Sequence, residues 1–489
     1  MATEKDPKSP TTTSFAYDAM AAMWHKVQTV LDGTEAMRAA EQAYLPQHEA
    51  ETTEAYAERL AKNTLFNLSK ITLDSWVGRP FSDPIGFTEV PSKVETVMDD
   101  VDLLGNNVHV FARNWFKDGL AKAYSHVLVD FPRIDEEAPR TLADDQDTAL
   151  RPYWIHISPE QLFFADAEIV DGREVLREIR IMEQVNDRIG FAEVVQPQIR
   201  RVFMQQHTDE QTGELVSVGT VELYRLREKK KKDKEEWYKV EEYTFSLDRI
   251  PLVTFYADRT DFMEGTSPLE DLVDLNISHW QSTSDQRAIL TVARFPMLAV
   301  SGGTDDGNKV IIGPYRILYC ADPNGKYYYV EHSGAAIDAG RLDLQSLEEQ
   351  MGEYGAEFLK KRPGDVTATA RALDAAEATS SLQDTTLRFQ DALNQALYYT
   401  ALWYKLDSGG QAMLTTDFGP EDVDAAELLT LKDTRKAKDL SRKAYLEELK
   451  RRGMLPDDFD IDVDAAQLET EAMNMFGELK LDEGEGEEE

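Results

Sequence analysis

The sequence predicts an α+β fold, and three observations carry that prediction. Apolar residues spaced three and four apart recur at both ends of the chain and after residue 267, which is helical periodicity. Between Tyr153 and Tyr256 the pattern changes to short runs rich in β-branched and aromatic residues, separated by turn residues, as in strands joined by hairpins. From Phe295 to Gly340 a small β-type insert lies between two helical stretches. Strands that flank or pack on helices give an α+β body with insertions.

Residues 1 to 13 are polar and rich in Thr and Pro, which reads as disorder. Helical patterns run from Phe15 to about Leu31 and from Thr53 to Val77, the second with Tyr56, Leu60, Leu65, Leu68, Ile71 and Trp76. Residues 92 to 123 read as helix, and Val127 to Phe131 as a strand stopped by Pro132. Strands are then predicted over Tyr153–Ile157, Val175–Met182, Ile199–Gln205, Val218–Leu226, Trp237–Phe245 and Leu252–Tyr256. The purely basic run Lys229 to Lys232 falls between two of these and reads either as a charged hairpin tip or as a DNA contact.

Ser267-Pro268-Leu269-Glu270 is a helix start. Ser accepts orphan N–H groups, Pro fits the first helical position, and Glu270 closes a capping box. The helix continues to about Leu290, with Leu269, Val273, Ile277 and Trp280 on one face, a rod of about 35 Å. From Arg341 to Leu359, Leu344, Leu347, Met351, Tyr354 and Phe358 again follow helix-packing spacing, while Glu349, Glu353 and Glu357 fall four apart on another face. Like charges so placed cost an isolated helix a few tenths of a kcal/mol each. The stripe reads as a solvated face, or as a pore wall past which a polyanion slides without sticking. Lys360-Lys361-Arg362-Pro363-Gly364-Asp365 follows, where Pro and Gly end the helix. Its cations suit transient phosphate contact, and they also suit the helix dipole without any ligand.

Within the insert, Met297–Ser301, Val310–Ile312, Arg316–Cys320 and Tyr327–Glu331 are β-type runs separated by turns such as Asp322-Pro323-Asn324-Gly325. A small β insert on two rods cannot bury a large core alone, and neighbouring copies of the chain could complete it by strand exchange. Tyr327, Tyr328 and Tyr329 are candidates for that interface or for packing within the chain. The stretch from Thr367 to Leu406 is Ala-rich and then apolar at Phe389, Leu393, Ala396 and Trp403, a helix of about 60 Å. Ser441 begins a further helix that ends at Gly453 after Lys450, Arg451 and Arg452.

A set of segments in order carries a resemblance. They are Tyr44-Leu45-Pro46-Gln47-His48, Val77-Gly78-Arg79-Pro80-Phe81, Val127 to Pro132, Arg151-Pro152-Tyr153-Trp154 and Ser158-Pro159-Glu160-Gln161-Leu162. Ile250-Pro251-Leu252-Val253, Ser282-Thr283-Ser284-Asp285, Phe295-Pro296-Met297-Leu298 and Thr367-Ala368-Thr369-Ala370-Arg371 complete it. Together they resemble the portal (head-to-tail connector) proteins of tailed bacteriophages, in a branch first catalogued as a domain of unknown function. The resemblance implies a portal fold with an α/β wing (14–266), a two-helix stem (267–291 and 341–360), a β-rich clip (292–340) and a tunnel loop (361–372). It further implies a long wing helix with return strand (373–418), an α-helical crown (419–480) and an acidic tail (481–489), after a disordered 1–13. It implies a homo-oligomeric ring of twelve subunits at one capsid vertex of the virion, assembled in the host cytoplasm. Double-stranded viral DNA would pass through without sequence reading. Partners would be the terminase large subunit, head-completion, adaptor or tail proteins, and the major capsid and scaffolding proteins.

Composition bounds this reading. A chain of 489 residues exceeds what one core usually serves. Its 91 acidic against 53 basic residues, net −38, are unfavourable for gripping DNA by its phosphates and argue against a specific DNA reader. A conduit is still allowed, because screening acts over about 10 Å at 0.1 M salt and weak adhesion helps a moving duplex. The alternative is an acidic virion scaffold or adaptor that binds only proteins.

Cys320 is the single cysteine, so neither a disulfide framework nor a cysteine zinc cluster is expected; it reads as a small buried residue. No apolar signal core opens the chain and no run reaches membrane-spanning length, which predicts synthesis in a reducing cytoplasm and no membrane partner. Asp458, Asp460, Asp462 and Glu469 mimic a calcium loop, but Val463 stands where glycine is required. Gly302 to Lys309 has the wrong spacing for a nucleotide loop, and His25, His48, His126, His156, His207, His279 and His332 form no paired motif. No catalytic residue, metal site or cofactor is predicted.

Overall fold

The computed structural model describes residues 6, 9–132, 150–208, 215–227, 236–294, 297–301, 323–330, 334–355, 368–416, 425–451, 454–455 and 459–468. The predicted runs at Lys229–Lys232, Val310–Ile312 and Arg316–Cys320, the stop at Gly453 and the acidic tail lie outside them. The chain is α+β, and its contacts divide it into two units, 1–362 with 381–416, and 363–380 with 417–489.

The first unit opens with α1 (Phe15–Asp32), α2 (Thr34–Ala39), α3 (Thr53–Lys62), α4 (Leu68–Gly78), β1 (Gly86–Thr88), α5 (Ser92–Met98) and α6 (Val108–Lys122). Side chains cap the longer helices: Ser14, Thr52, Asn67 and Asn107 accept the N–H of Tyr17, Ala55, Lys70 and Val110. The single helix expected over Thr53–Val77 is instead two, broken where Asn63 turns its amide to the Trp280 carbonyl (2.8 Å) and Asn67 becomes a cap. The helix expected over 92–123 is also two. The intervening loop folds around Asp102, whose carboxylate accepts the N–H of Leu104 (3.0 Å) and Asn106 (3.3 Å).

β2 (Tyr124–Asp130) is the centre of a three-stranded antiparallel sheet, with β3 (Tyr153–Ile157) and, much later in the chain, β9 (Leu252–Tyr256) on its flanks. Between β3 and β9 the chain makes a five-stranded antiparallel meander of β4 (Leu162–Val170), β5 (Arg173–Ile189), β6 (Ala192–Thr208), β7 (Leu215–Leu226) and β8 (Trp237–Phe245). β4 was not predicted, because Asp166 and Glu168 dilute its apolar pattern. β5 and β6 each run 17 residues, well past the predicted ends, because their ladder continues through polar residues to a turn at Gly190-Phe191.

β10 (Arg259–Asp261) and β11 (Glu264–Gly265) lead to α7 (Glu270–Ala293), β12 (Met297–Ser301), β13 (Lys326–Val330), α8 (Ala335–Gly355), α9 (Ala368–Trp403) and β14 (Gln411–Met413), the last paired with β1. Residues 381–403 of α9 share a core with α6 and the three-stranded sheet. Phe389 sits among Phe81, Trp115, Phe116 and Phe255, with ring centroids 4.9 to 6.1 Å away. Two indoles fasten the helix to the sheet: Trp154 Nε1 donates to Thr400 Oγ1 (2.8 Å) and Trp403 Nε1 to the Val129 carbonyl (3.0 Å). α6 reaches the sheet closely because Gly119 has no side chain; a Cβ there would stand 2.4 Å from the Phe255 ring.

In the second unit, α10 (Ala425–Ala437) and α11 (Arg442–Arg451) precede a helix at 461–468. Ser441 caps α11 as predicted, accepting the Ala444 N–H at 3.1 Å. Asp460 caps the next helix by accepting the N–H of Asp462 (2.9 Å) and Val463 (3.1 Å), so this part of the calcium-like spacing is spent on a helix start. Asp458 and Glu469 lie outside the described residues.

Gly119→Ala forces Phe255 out of place and should cost about 1–3 kcal/mol in a denaturant titration. His126, fully buried in β2 with Nδ1 2.9 Å from Thr254 Oγ1, is pushed by burial from 6.5 down to about 3. The unfolded chain binds this proton below its ordinary value and the folded chain only near the lowered one, so stability falls as pH drops through that window. The slope from this group should approach about 1.4 kcal/mol per pH unit, and His126→Gln should flatten the measured stability curve there by comparison with wild type.

Candidate functional site

α7 and α8 form an antiparallel hairpin whose contacts step evenly along both helices. Tyr354 OH donates to Asp271 Oδ2 (2.8 Å), His279 Nε2 lies 3.3 Å from Glu348 Oε1, Ser282 Oγ donates to Asp343 Oδ2 (2.8 Å), and Gln286 Nε2 donates to the Ile337 carbonyl (2.9 Å). Burial and then the bond to Asp271 push the Tyr354 hydroxyl up to about 12. At the Gln286 crossing the partner is Gly340, where a Cβ would lie 2.1 Å from Gln286 Oε1, so a side chain there would displace the Gln286 amide from its place.

The hairpin continues into a ribbon of β12 and β13, from Met297 opposite Val330 to Ser301 opposite Lys326. In chain order the ribbon lies between the two helices, so the chain leaves by α7 and returns by α8. Its base is set deeply in the first unit. Asn276 Oδ1 accepts the Ser69 N–H (3.2 Å) and hydroxyl (3.0 Å), while its amide donates to the Phe66 carbonyl (2.8 Å). Lys26 of α1 pairs with Glu270 (3.2 Å) and Asp274 (2.8 Å).

The expected start at Ser267 is present in part. Ser267 Oγ accepts the Leu269 N–H (3.1 Å), but Glu270 turns to Lys26 instead of closing a capping box. The expected single apolar face is also revised. Leu269, Val273 and Trp280 are buried and Ile277 is half-buried, yet Leu272, Asn276 and His279 are buried too, because α7 is enclosed by α1, α3, α4 and α8 rather than lying on one surface. α8 begins at Ala335 instead of Arg341, since Ala335, Ala336 and Ala339 favour helix as soon as Gly334 (φ +78°) has made the turn.

Glu349 and Glu353 are exposed on α8 with Leu342, at spacings that put all three on the side opposite Leu344, Leu347 and Met351. Leu344 and Leu347 are half-buried and Met351 is fully buried. α7 and α8 together hold nine carboxylates against two arginines. Glu357 and the whole run Lys360, Lys361, Arg362, Pro363, Gly364 and Asp365 lie outside the described residues. Tyr327 is half-buried, Tyr328 is 50% exposed, and Tyr329 stands opposite Leu298 in the ladder.

Sequence reasoning missed the polar residues that seat the arm. Arg59 of α3 clamps Glu51 with two bonds of 2.8 Å and donates to Ser284 Oγ (3.1 Å) and the Pro46 carbonyl (2.8 Å); its bonds hold the Glu51 carboxyl below the usual range. Gln281 donates to the Tyr44 carbonyl (3.0 Å), and His48 Nε2 lies 3.3 Å from Asp285. Thus Tyr44–His48 docks on Ser282–Asp285. Val127–Pro132 likewise meets Arg151–Trp154 and Ile250–Val253 across β2, β3 and β9. The matching segments are joints of the fold.

One cluster has the residue types of a catalytic site without the geometry. Asp118 Oδ2 (3.4 Å) and Ser125 Oγ (2.8 Å) approach the same His156 Nε2, whereas a triad needs the carboxylate on the other ring nitrogen. Ser125 is fully buried, and Lys122 is locked between Asp118 (3.0 Å) and Glu160 (2.9 Å). Burial would lower the lysine, but the two carboxylates outweigh it and hold Lys122 protonated. Burial would likewise raise Asp118, and the His156 bond and Lys122 charge hold it low. These bonds join α6 to the turn before β4.

The family described as "Domain of unknown function (DUF4055)" matches residues 268–404, from the start of the arm to the end of α9. The chain is similar to a structure titled "Neck of empty GTA particle computed with C6 symmetry", at 12% identity and TM-score 0.40, over 80% of this chain and 90% of that one. It is also similar to one titled "Virion of native gene transfer agent (GTA) particle", at 13% identity and TM-score 0.39, over 86% of this chain and 98% of that one. No curated protein matches.

Arg59→Ala strands Glu51 without its cation and frees the Tyr44–His48 segment from α7. The loss should be about 3–5 kcal/mol by chemical denaturation, with faster amide exchange in residues 44–52.

Proposed function

We propose that this chain is a phage-type portal subunit, a component of a ring at one capsid vertex through which double-stranded DNA is packaged and ejected. The observation that carries the reading is the arm: two antiparallel helices seated in the body by buried polar contacts, continued by a β-ribbon, with Glu349 and Glu353 on the side turned away from the partner helix. That is the form required of a stem with a clip at its end.

About twelve copies would place their α7–α8 arms around the channel. The stripe at Glu349, Glu353 and Glu357 repels phosphate at close range, where water-excluded walls weaken screening, so the duplex moves without sticking. The run Lys360 to Asp365 supplies brief phosphate contacts. The ribbon carrying Tyr327, Tyr328 and Tyr329 meets the terminase large subunit during packaging and head-completion, adaptor or tail proteins afterwards. Major capsid and scaffolding proteins would contact the rest. Hydrolysis of nucleotide belongs to the motor, and this chain acts by geometry and charge.

Negative-stain imaging with native mass measurement tests the reading: closed rings of about twelve or thirteen copies with a hole wide enough for duplex DNA are expected, and a compact closed oligomer without a channel refutes it. Glu349→Lys with Glu353→Lys should make such rings retain duplex DNA, with a steeper loss of binding as salt rises. Alanine at Lys360, Lys361 and Arg362 should lower packaged genome length or retention while rings still form; unchanged packaging removes that role.

A further inference from the structure

The five-stranded meander carries a projection that no core uses. β4 accompanies β5 only from Arg173 to Ile181, and β7 accompanies β6 only from Gln198 to Thr208. Among the described residues, the strand segments 184–189 and 192–197 therefore pair only with each other, as a ribbon of about 20 Å at ~3.3 Å per residue.

Two-stranded ribbons are marginal alone, and this one is braced at its base. Arg225 donates to Gln198 Oε1 (3.1 Å) and Asp187 Oδ2 (3.4 Å), and Arg200 pairs with Glu183 at 2.7 Å. The remaining acid, Glu193, stands opposite Arg188 in the ladder. Counted with Arg200 and Arg225, residues 183–193 thus hold three arginines to three acids within a chain of net −38. Beyond that pair, its outer face presents Gln184, Asn186 and Val195, the last 56% exposed, and the turn presents Phe191, whose side chain is entirely exposed beside Gly190 at φ +64°. Pro197 removes an edge donor, which makes the ribbon a poor template for an added strand and leaves contact to its tip and side chains.

We infer that this ribbon, anchored by Phe191, docks on a second copy of the chain. The inference rests on the ring reading above. Copies of net −38 repel one another, so contact between them needs surfaces relieved of unmatched acid, and the ribbon is one. In a ring each interface joins one patch to a different patch of the next copy, the arrangement an aromatic on a projecting arm suits. Duplex DNA is a poor occupant, because the tip holds a single cation, Arg188, which is offset in charge by Glu193 and donates to the Gly190 carbonyl (3.3 Å).

The test compares wild type, Phe191→Asp, and a chain with photoreactive benzoylphenylalanine at position 191, using native mass, imaging and irradiation. Expected are covalent multimers of this chain with the attachment mapped outside residues 182–198, and about a tenfold drop in ring fraction for Phe191→Asp with unchanged thermal melting. Wild-type-like assembly of Phe191→Asp without multimers overturns the inference and leaves the ring reading standing. Attachment only within the same chain, or only to another virion protein, overturns it as well. Absence of closed rings in the wild type overturns both.

Discussion

The enclosure of α7 is the constraint on which the rest of the first unit depends. A helix that carries Asn276, His279 and Ser284 into the interior is costly unless these three side chains find partners there. Asn276 takes the backbone and hydroxyl of Ser69, Ser284 takes Arg59, and Asn63 satisfies the Trp280 carbonyl. These demands fix where α3 must stop and where α4 must begin. They also fix the path of 44–52, whose backbone would otherwise have no reason to lie against α7.

A second dependence runs through β2. Its neighbours come from residues 153–157 and 252–256, so the whole meander is an excursion between two strands of one small sheet. Such long-range pairing is entropically costly to close. The aromatic group around Phe389 and the two indole bonds from Trp154 and Trp403 hold the result by packing α9 on that sheet.

The fold class, the two arm helices, α9 and most strands were legible in the sequence, because they rest on periodicity and on turn residues that act locally. Trp237–Phe245 and Leu252–Tyr256 are found at their predicted bounds. What failed did so for non-local reasons. Asn63 interrupts a helical pattern in order to reach a carbonyl far away in sequence, and β5 and β6 extend through polar residues because each supplies the other's hydrogen bonds. Of the candidate site, the exposed carboxylates Glu349 and Glu353 could be read directly from spacing. The seating of the arm could not, since buried Asn, His and Arg look like surface residues until their partners are known.

The pairing of α7 with α8 makes the arm a lever. Its fulcrum is the buried ring of Trp280, and the end of α7 at Ala293 lies about 20 Å away by helix rise. A tilt of about 5° at the fulcrum would therefore carry that tip about 2 Å, while the packing around Asn276 scarcely changes. Small adjustments deep in the body are in this way converted into large ones at the tip, and force on the tip is returned, multiplied by the same ratio, to the Arg59 and Asn276 contacts.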